Sequence, residues 1–302
     1  MIRPSTASTL ALLATVLVTA CSATSPVGTT TRPQEPATSS FEAPPVGPMV
    51  FASPSNLGRK APAINAAAYI LVDAKSGNVL AARNADTLRS VASTQKVLTA
   101  LIVAEAGNLD KPVRVTASDV AVEPSKLGVR PGEVYTRRQL LIAFLVKSSN
   151  DVANVLARDN AGSVAAFAAK MTARARSLGA ANSTFKNPHG LTAKGQYSTA
   201  RDMACIAMAA YRNPILRDAV RRRYFTFRYA SGRTVTLENT NDLLGRMPEC
   251  DGMKTGYTVP AGRCLISCAH TWRKDVILVQ LGTKTKYIWN DGARMMGWGL
   301  GL

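Results

Sequence analysis

Two side chains capable of nucleophilic chemistry stand three residues apart in the stretch Val91-Ala-Ser93-Thr-Gln-Lys96. A serine hydroxyl attacks a carbonyl only when a nearby base takes its proton, and a neutral lysine amine can be that base. An apolar-periodic run begins beside the pair, at Val97, Leu98, Leu101, Ile102 and Ala104. On a helix, an offset of three residues stacks two side chains one turn apart on the same face. The pattern alone is cheap. Chance supplies it about once per few hundred residues, and Ser183 with Lys186 repeats it in a polar loop stretch.

Two further patterns supply company for the pair. Ser148-Ser149-Asn150 falls in the break between two helical stretches, and Lys254-Thr255-Gly256 lies on a strand-like segment. A serine placed there can relay a proton to a leaving group, and an amide side chain can hold a peptide backbone. A second lysine lowers the pKa of the first. On a strand Lys254 and Gly256 share a face, and the missing glycine side chain lets a substrate lie against the strand. Ser76-Gly-Asn78 mimics the middle pattern in a turn that has no such company. With only His189 and His270 in the chain, a zinc hydrolase or a histidine-based triad is poorly supported, and no metal or cofactor is expected. His189, in a Pro-His-Gly loop, reads as part of a structural turn and is left out of the site.

The elements that must position these residues follow from periodicity and punctuation. Tyr69–Asp73 and Val79–Ala82 read as a hairpin about the Lys75-Ser-Gly-Asn78 turn. The helix bearing Ser93 stops at Gly107-Asn108. Helical stretches follow from Thr136 to Lys147, after Asn150, from Ser163 to Gly179, from Ser198, and from Asn213-Pro214. Then the period changes. Tyr224–Arg228 and Thr234–Leu237 form a second hairpin, and Gly252–Thr258, Cys264–His270 and Val276–Leu281 are closely spaced strands suited to antiparallel pairing. A last helix spans about Trp289 to Trp298. Strands at both ends with helices between imply an α+β domain, an antiparallel sheet packed against helices.

The ends of the chain and its charge bound where it works. Arg3 precedes an apolar segment from Leu10 to Ala20, too short to span a bilayer and suited to a secretory leader. Val18-Thr-Ala-Cys21 resembles a bacterial lipoprotein cleavage box, in which Cys21 becomes the lipidated first residue. Residues 1–20 are therefore expected to be a signal peptide, 21–63 a Pro/Ser/Thr-rich tether and 64–302 the folded catalytic domain. The formal net charge of +18 would suggest nucleic acid in a cytoplasmic protein. In an exported one the densest cluster, Arg217, Arg221, Arg222, Arg223, Arg228 and Arg233, reads as a solvated basic face, with no nucleic acid involved. Cys205, Cys250, Cys264 and Cys268 permit disulfides in that compartment. Cys264 and Cys268 are about 13 Å apart on one strand and cannot bridge each other, so the pairing stays open.

Taken in order, Ser93-x-x-Lys96, Ser148-x-Asn150 and Lys254-Thr255-Gly256 resemble the motif set of the serine penicillin-recognising enzymes. Asp251-Gly-Met-Lys-Thr-Gly-Tyr-Thr258, Asn187-Pro-His-Gly-Leu191 and Ser149-Asn-Asp-Val-Ala-Asn154 narrow this to the D-alanyl-D-alanine carboxypeptidase family of low-molecular-mass penicillin-binding proteins. The resemblance implies a β-lactamase/transpeptidase-like fold from about Ala67 onward. It also implies peptidoglycan stem peptides as substrates, β-lactams as inhibitors, and a place in the cell envelope. Ser93 would be the nucleophile and Lys96 its base, with Ser148 relaying a proton and Asn150 holding the substrate. Lys254 and Thr255 would bind the terminal carboxylate, beside Gly256, and the N–H groups of Ser93 and Tyr257 would form the oxyanion hole. The chain departs from the family in three ways. Ser149 stands where glycine is usual. No clear arginine follows the last strand, so Lys284 or Lys286 would substitute at the substrate carboxylate. A second β-domain and C-terminal amphipathic helix do not follow, so the lipid on Cys21 would anchor the protein to the membrane.

Three rival readings are open at this stage. A class A β-lactamase needs a glutamate some distance after the second motif, and the chain from Asn160 to Ala200 contains no acidic residue. An endopeptidase of peptidoglycan cross-links would use the same chemistry on a different leaving group. A catalytically silent wall-binding lipoprotein would use only the basic face.

Overall fold

The computed structural model describes residues 47, 48, 51 and 58–302. The leader, most of the tether and Cys21 lie outside the described residues. The described domain starts with a hairpin, β1 (Ala68–Asp73) and β2 (Val79–Arg83). A 3-10 turn over Ala92–Gln95 then runs into helix α1 (Lys96–Glu105). A short pair, β3 (Pro112–Arg114) and β4 (Val134–Thr136), brackets the one-turn helix α2 (Ala117–Val120). Five helices follow: α3 (Arg137–Lys147), α4 (Asn150–Ala161), α5 (Val164–Ser177), α6 (Ala200–Arg212) and α7 (Pro214–Val220). The chain then makes the hairpin β5 (Tyr224–Arg228) and β6 (Thr234–Glu238). It ends with β7 (Cys250–Thr258), β8 (Gly262–His270), β9 (Asp275–Thr283) and helix α8 (Thr285–Leu300).

The main sheet has the order β2-β1-β9-β8-β7 and every neighbouring pair is antiparallel. Its first two strands come from the start of the domain and its last three from the end, which is the α+β arrangement expected. One face carries Leu71, Leu265, Val276 and Leu278 and packs on Ile288, Met295 and Met296 of α8. The other carries Ile70, Val72, Ile266 and Val279 and joins the helical cluster. Helix α1 lies inside that cluster with Lys96 through Ala104 all buried, as a helix that is apolar on nearly every side must. The nucleophile-bearing turn is thus fixed to the most enclosed helix of the domain.

Local chemistry sets the helix starts. Thr136 accepts from Gln139 N while the Gln139 side chain accepts from Thr136 N, a reciprocal capping box. Thr199 caps α6, and Asn213 caps α7 with Pro214 at its first position. One helix boundary needs correction, and two further features go beyond the sequence reading. The final helix begins at Thr285, a turn before Trp289, because Lys284 is already extended and Thr285 onward is not. The β3–β4 pair was not anticipated, being too short for a visible alternation. All four described cysteines are free and buried thiols, so no disulfide forms among them.

Candidate active site

Ser93 sits one turn earlier than an α-helical position, on the 3-10 turn that feeds α1. The tighter turn keeps the Ser-x-x-Lys contact, since side chains three residues apart eclipse in that geometry. Lys96 Nζ lies 2.8 Å from Ser93 Oγ, 2.7 Å from Asn150 Oδ1 and 2.6 Å from the His189 carbonyl. Lys96 is 0 % exposed. Burial first, and then the charge of Lys254, hold its amine well below the ordinary lysine range. A neutral amine has two N–H groups and one lone pair. The carbonyl oxygens of Asn150 and His189 can only accept. In the neutral form they can take both N–H groups, which leaves the lone pair for the Ser93 hydroxyl; in the protonated form Nζ donates to all three oxygens and the Ser93 hydroxyl turns to the His189 carbonyl.

That assignment depends on which way the Asn150 amide points, and its other end decides the matter. Asn150 Nδ2 donates to the carbonyls of Glu123, at 3.0 Å, and Pro124, at 2.9 Å. A flipped amide would face oxygen to oxygen at both. The Asn150 backbone N–H also binds the Ser125 carbonyl at 2.7 Å, and buried Asp151 accepts from Leu127 N and Gly128 N. The start of α4 therefore clamps the 123–128 loop along one wall of the site.

Strand β7 forms the opposite wall. It is the edge of the sheet, so one row of its backbone groups has no strand partner. A Cβ on Gly256 would come within 2.8 Å of Ser93 N and 3.0 Å of Thr94 N, so only glycine lets the strand lie on the nucleophile's turn. Gly190, at φ +90, makes the matching approach from the other side, against the Ala92 carbonyl. Lys254 shares the face of Gly256 and is 1 % exposed, with a single hydrogen bond, to the Thr255 carbonyl at 3.0 Å. Burial pushes its pKa down to about 7. On the opposite face of β7, Thr255 Oγ1 is 2.6 Å from Thr240 Oγ1, and Tyr257 is 55 % exposed.

Ser148 ends α3 in the left-handed region, φ 64, where glycine or asparagine is usual. Among the described residues its hydroxyl has no hydrogen-bond partner, and no contact ties it to Ser93, Lys96 or Lys254. Described non-glycine residues with positive φ are Asn84, Ala92, Asn108, Ser148 and Met253. Asparagine tolerates that region, and the other three adjoin Ser93, form the Ser-x-Asn break, or precede Lys254. Backbone strain of this kind collects at functional sites.

His189 was left out of the site on sequence, and the structure brings it in through its backbone. Its carbonyl accepts from Lys96 Nζ and, at 3.1 Å, from Ser93 Oγ. The available signal was the Asn187-Pro-His-Gly-Leu191 match, in which Asn187 Oδ1 binds Gly190 N at 2.8 Å and fixes the turn. Ser183 of the repeated pattern is occupied elsewhere, 2.7 Å from Asp202 Oδ2 and 2.8 Å from Ser198 Oγ. Among the described residues no group of His, Cys, Asp and Glu could hold a metal ion.

Comparison with known proteins agrees with this geometry. The family model described as D-alanyl-D-alanine carboxypeptidase, a serine peptidase group, matches residues 56–285. A D-alanyl-D-alanine carboxypeptidase of Escherichia coli is 34% identical over 266 residues, 83% of this chain, and the chain spans 65% of that protein's length. A D-alanyl-D-alanine endopeptidase of the same organism is 32% identical, covering 78% of each chain. The crystal structure of a D-alanyl-D-alanine carboxypeptidase from Mycobacterium tuberculosis matches with a TM-score of 0.77 at 33% identity, over 81% of this chain and 94% of that one. The chain that carries Ser93, Lys96, Asn150 and Lys254 in one cluster belongs to the D-alanyl-D-alanine carboxypeptidase family of serine peptidases.

Proposed function

We propose that this protein is a D,D-carboxypeptidase of the cell wall that removes the terminal D-alanine of peptidoglycan stem peptides through an acyl-enzyme on Ser93. The observation that carries the reading is the fully buried Lys96 amine, 2.8 Å from Ser93 Oγ. Ser93 Oγ attacks the carbonyl of the D-Ala-D-Ala bond and its proton passes to Lys96 Nζ. The negative charge on the carbonyl oxygen is met by the N–H groups of Ser93 and Tyr257. Collapse breaks the C–N bond, and the proton held on Lys96 passes through the Ser148 hydroxyl to the departing amine. Water then hydrolyses the ester and restores the Ser93 hydroxyl. Asn150 holds the substrate backbone, and Lys254 with Thr255 receives its carboxylate, while Gly256 gives it room beside β7.

β-Lactams present a strained counterpart of that amide carbonyl and should leave a covalent penicillin adduct on Ser93, read by intact-protein mass spectrometry and absent in Ser93→Ala. Folded wild type that never forms the adduct would sink the assignment. The adduct should turn over slowly, because the 160–200 segment has no acidic residue to activate water as class A β-lactamases do. Endopeptidase activity on cross-links is the second reading, favoured by the endopeptidase relative that this chain matches over 78% of its length. Pentapeptide and cross-linked dimer muropeptides assayed side by side separate the two. We also assign export and lipid attachment at Cys21, supported by the cleavage-box sequence. Among the described residues no helix is long and apolar enough to cross a membrane. Cys21→Ser should lose incorporation of labelled palmitate and shift the protein from the membrane to the soluble fraction.

A further inference from the structure

The substrate carboxylate placed at Lys254 and Thr255 calls for a cation that stays charged. A substrate ending in a free carboxylate places that group about one residue, roughly 3.3 Å along an extended chain, from the carbonyl at Ser93. Burial holds the pKa of Lys254 down to about 7. Its charge is therefore less secure than that of an arginine. The lysines that follow the last strand are poorly suited. Lys284 is an exposed residue at the start of α8, and Lys286 lies over the Tyr287 ring at 4.8 Å.

Arg263 is better placed. It faces Tyr257 in the β7–β8 ladder, so its side chain shares a face with Tyr257 and, two residues along, Thr255. An arginine side chain can cross one strand spacing of about 4.8 Å, and this one does. Its guanidinium carbon lies 4.7 Å from the Tyr257 ring centroid. Nε donates to Thr285 Oγ1 at 3.1 Å, which with the ring holds the planar group in one orientation. No carboxylate pairs with it among the described residues, in contrast to Arg137, Arg158, Arg174 and Arg201, each salt-bridged. Both terminal nitrogens are left as a free fork, the geometry that matches a carboxylate.

We infer that Arg263, rather than Lys284 or Lys286, is the specificity residue that receives the substrate's terminal carboxylate, beside Thr255 at the open edge of β7. The inference rests on the D,D-peptidase reading of the site. It explains how a chain with no arginine shortly after β9 keeps a permanent positive charge beside Thr255.

The test compares two substrates that deliver the same acyl group to Ser93: an N-acyl-D-Ala-D-Ala peptide, and the N-acyl-D-Ala p-nitrophenyl ester, which has no carboxylate. Arg263→Gln should lower kcat/KM for the peptide about tenfold or more while leaving the ester within about twofold. Arg263→Lys should restore part of the loss, and Lys284→Ala and Lys286→Ala should each change the peptide-to-ester ratio by less than about threefold. A ratio unchanged in Arg263→Gln, or an equal loss on both substrates, overturns the carboxylate role. So does a collapse of the ratio in Lys284→Ala. If wild type turns over neither substrate, the peptidase reading itself falls, and this inference with it.

Discussion

Strand β7 carries two buried charges three residues apart, and the protein treats them in opposite ways. Asp251, at the inner end, is 4 % exposed, and its Oδ2 meets three partners: Tyr211 Oη at 3.0 Å, Arg217 Nη2 at 3.1 Å and His270 Nδ1 at 3.1 Å. Lys254 is more deeply buried and has one hydrogen bond, to a neighbouring carbonyl. A buried charge with full partners is structural, because removing any partner leaves the others unsatisfied. A buried lysine with one hydrogen-bond partner among the described residues carries a folding cost. The contrast separates the anchored end of the strand from its working end.

The most severe way to challenge this contrast is to fix the charge at the working end. Lys96→Arg cannot lose its proton at any accessible pH, so penicillin acylation of Ser93 should fall by about 10² to 10⁴. An arginine variant that is folded by circular dichroism and acylates at the wild-type rate would remove Lys96 from the role of base. Next come matched changes at the two ends of β7. Lys254→Gln should cost about 10²-fold in kcat/KM yet leave the melting temperature level or higher, since a poorly partnered buried cation is gone. Asp251→Ala should do the reverse. It should lower stability by about 1–3 kcal/mol, read by denaturant melts, while kcat/KM below the transition stays within about threefold of wild type. If both variants lose activity and stability together, the two ends are not distinct.

The pH dependence sharpens the same contrast. The folded protein holds Lys254 at about 7, whereas an unfolded chain would hold it at about 10.4. Between those values the unfolded state binds the extra proton, so stability rises with pH and the gain vanishes below about 7. Lys254→Gln should flatten that part of the stability profile. In the enzyme, rising pH discharges Lys254 and weakens its hold on a carboxylate. KM for the peptide should therefore climb as pH passes through 7, with a smaller climb for the carboxylate-free ester.

How much of this was readable beforehand differs between the fold and the site. The strands that close the sheet were legible because Cys264–His270 and Val276–Leu281 are apolar runs with short turns between them, and the helix starts because Thr136, Ser163, Thr199 and Asn213 are chemically specific caps. The β3–β4 pair was not, as three-residue strands show no period. In the site, side chains with distinctive chemistry, Ser93, Lys96, Asn150 and Lys254, could be found by type and order. The His189 carbonyl could not, since every residue has one and only the turn fixed by Asn187 aims it at Lys96. Arg263 was hidden for another reason. Its place beside Tyr257 comes from strand register, which no spacing in the sequence displays.

His189 also supplies the mildest of these tests. Its imidazole is buried, and burial, then the charge of Lys96, hold its pKa down to about 3. The ring therefore stays neutral from pH 5 to 9 and cannot produce a titration there. Its Nδ1 accepts from Leu191 N at 3.2 Å, so the ring, like Asp251, has a partner of its own within the fold. Only the carbonyl reaches the reacting pair, and every residue at this position keeps that group. His189→Ala should therefore cost about 1–2 kcal/mol through the lost packing and the unpaired Leu191 N–H. Its kcat should remain within about threefold of wild type and the shape of its pH–rate curve should not move. A curve that loses a limb in this variant would show that the imidazole, and not just the backbone that carries it, exchanges protons with the site.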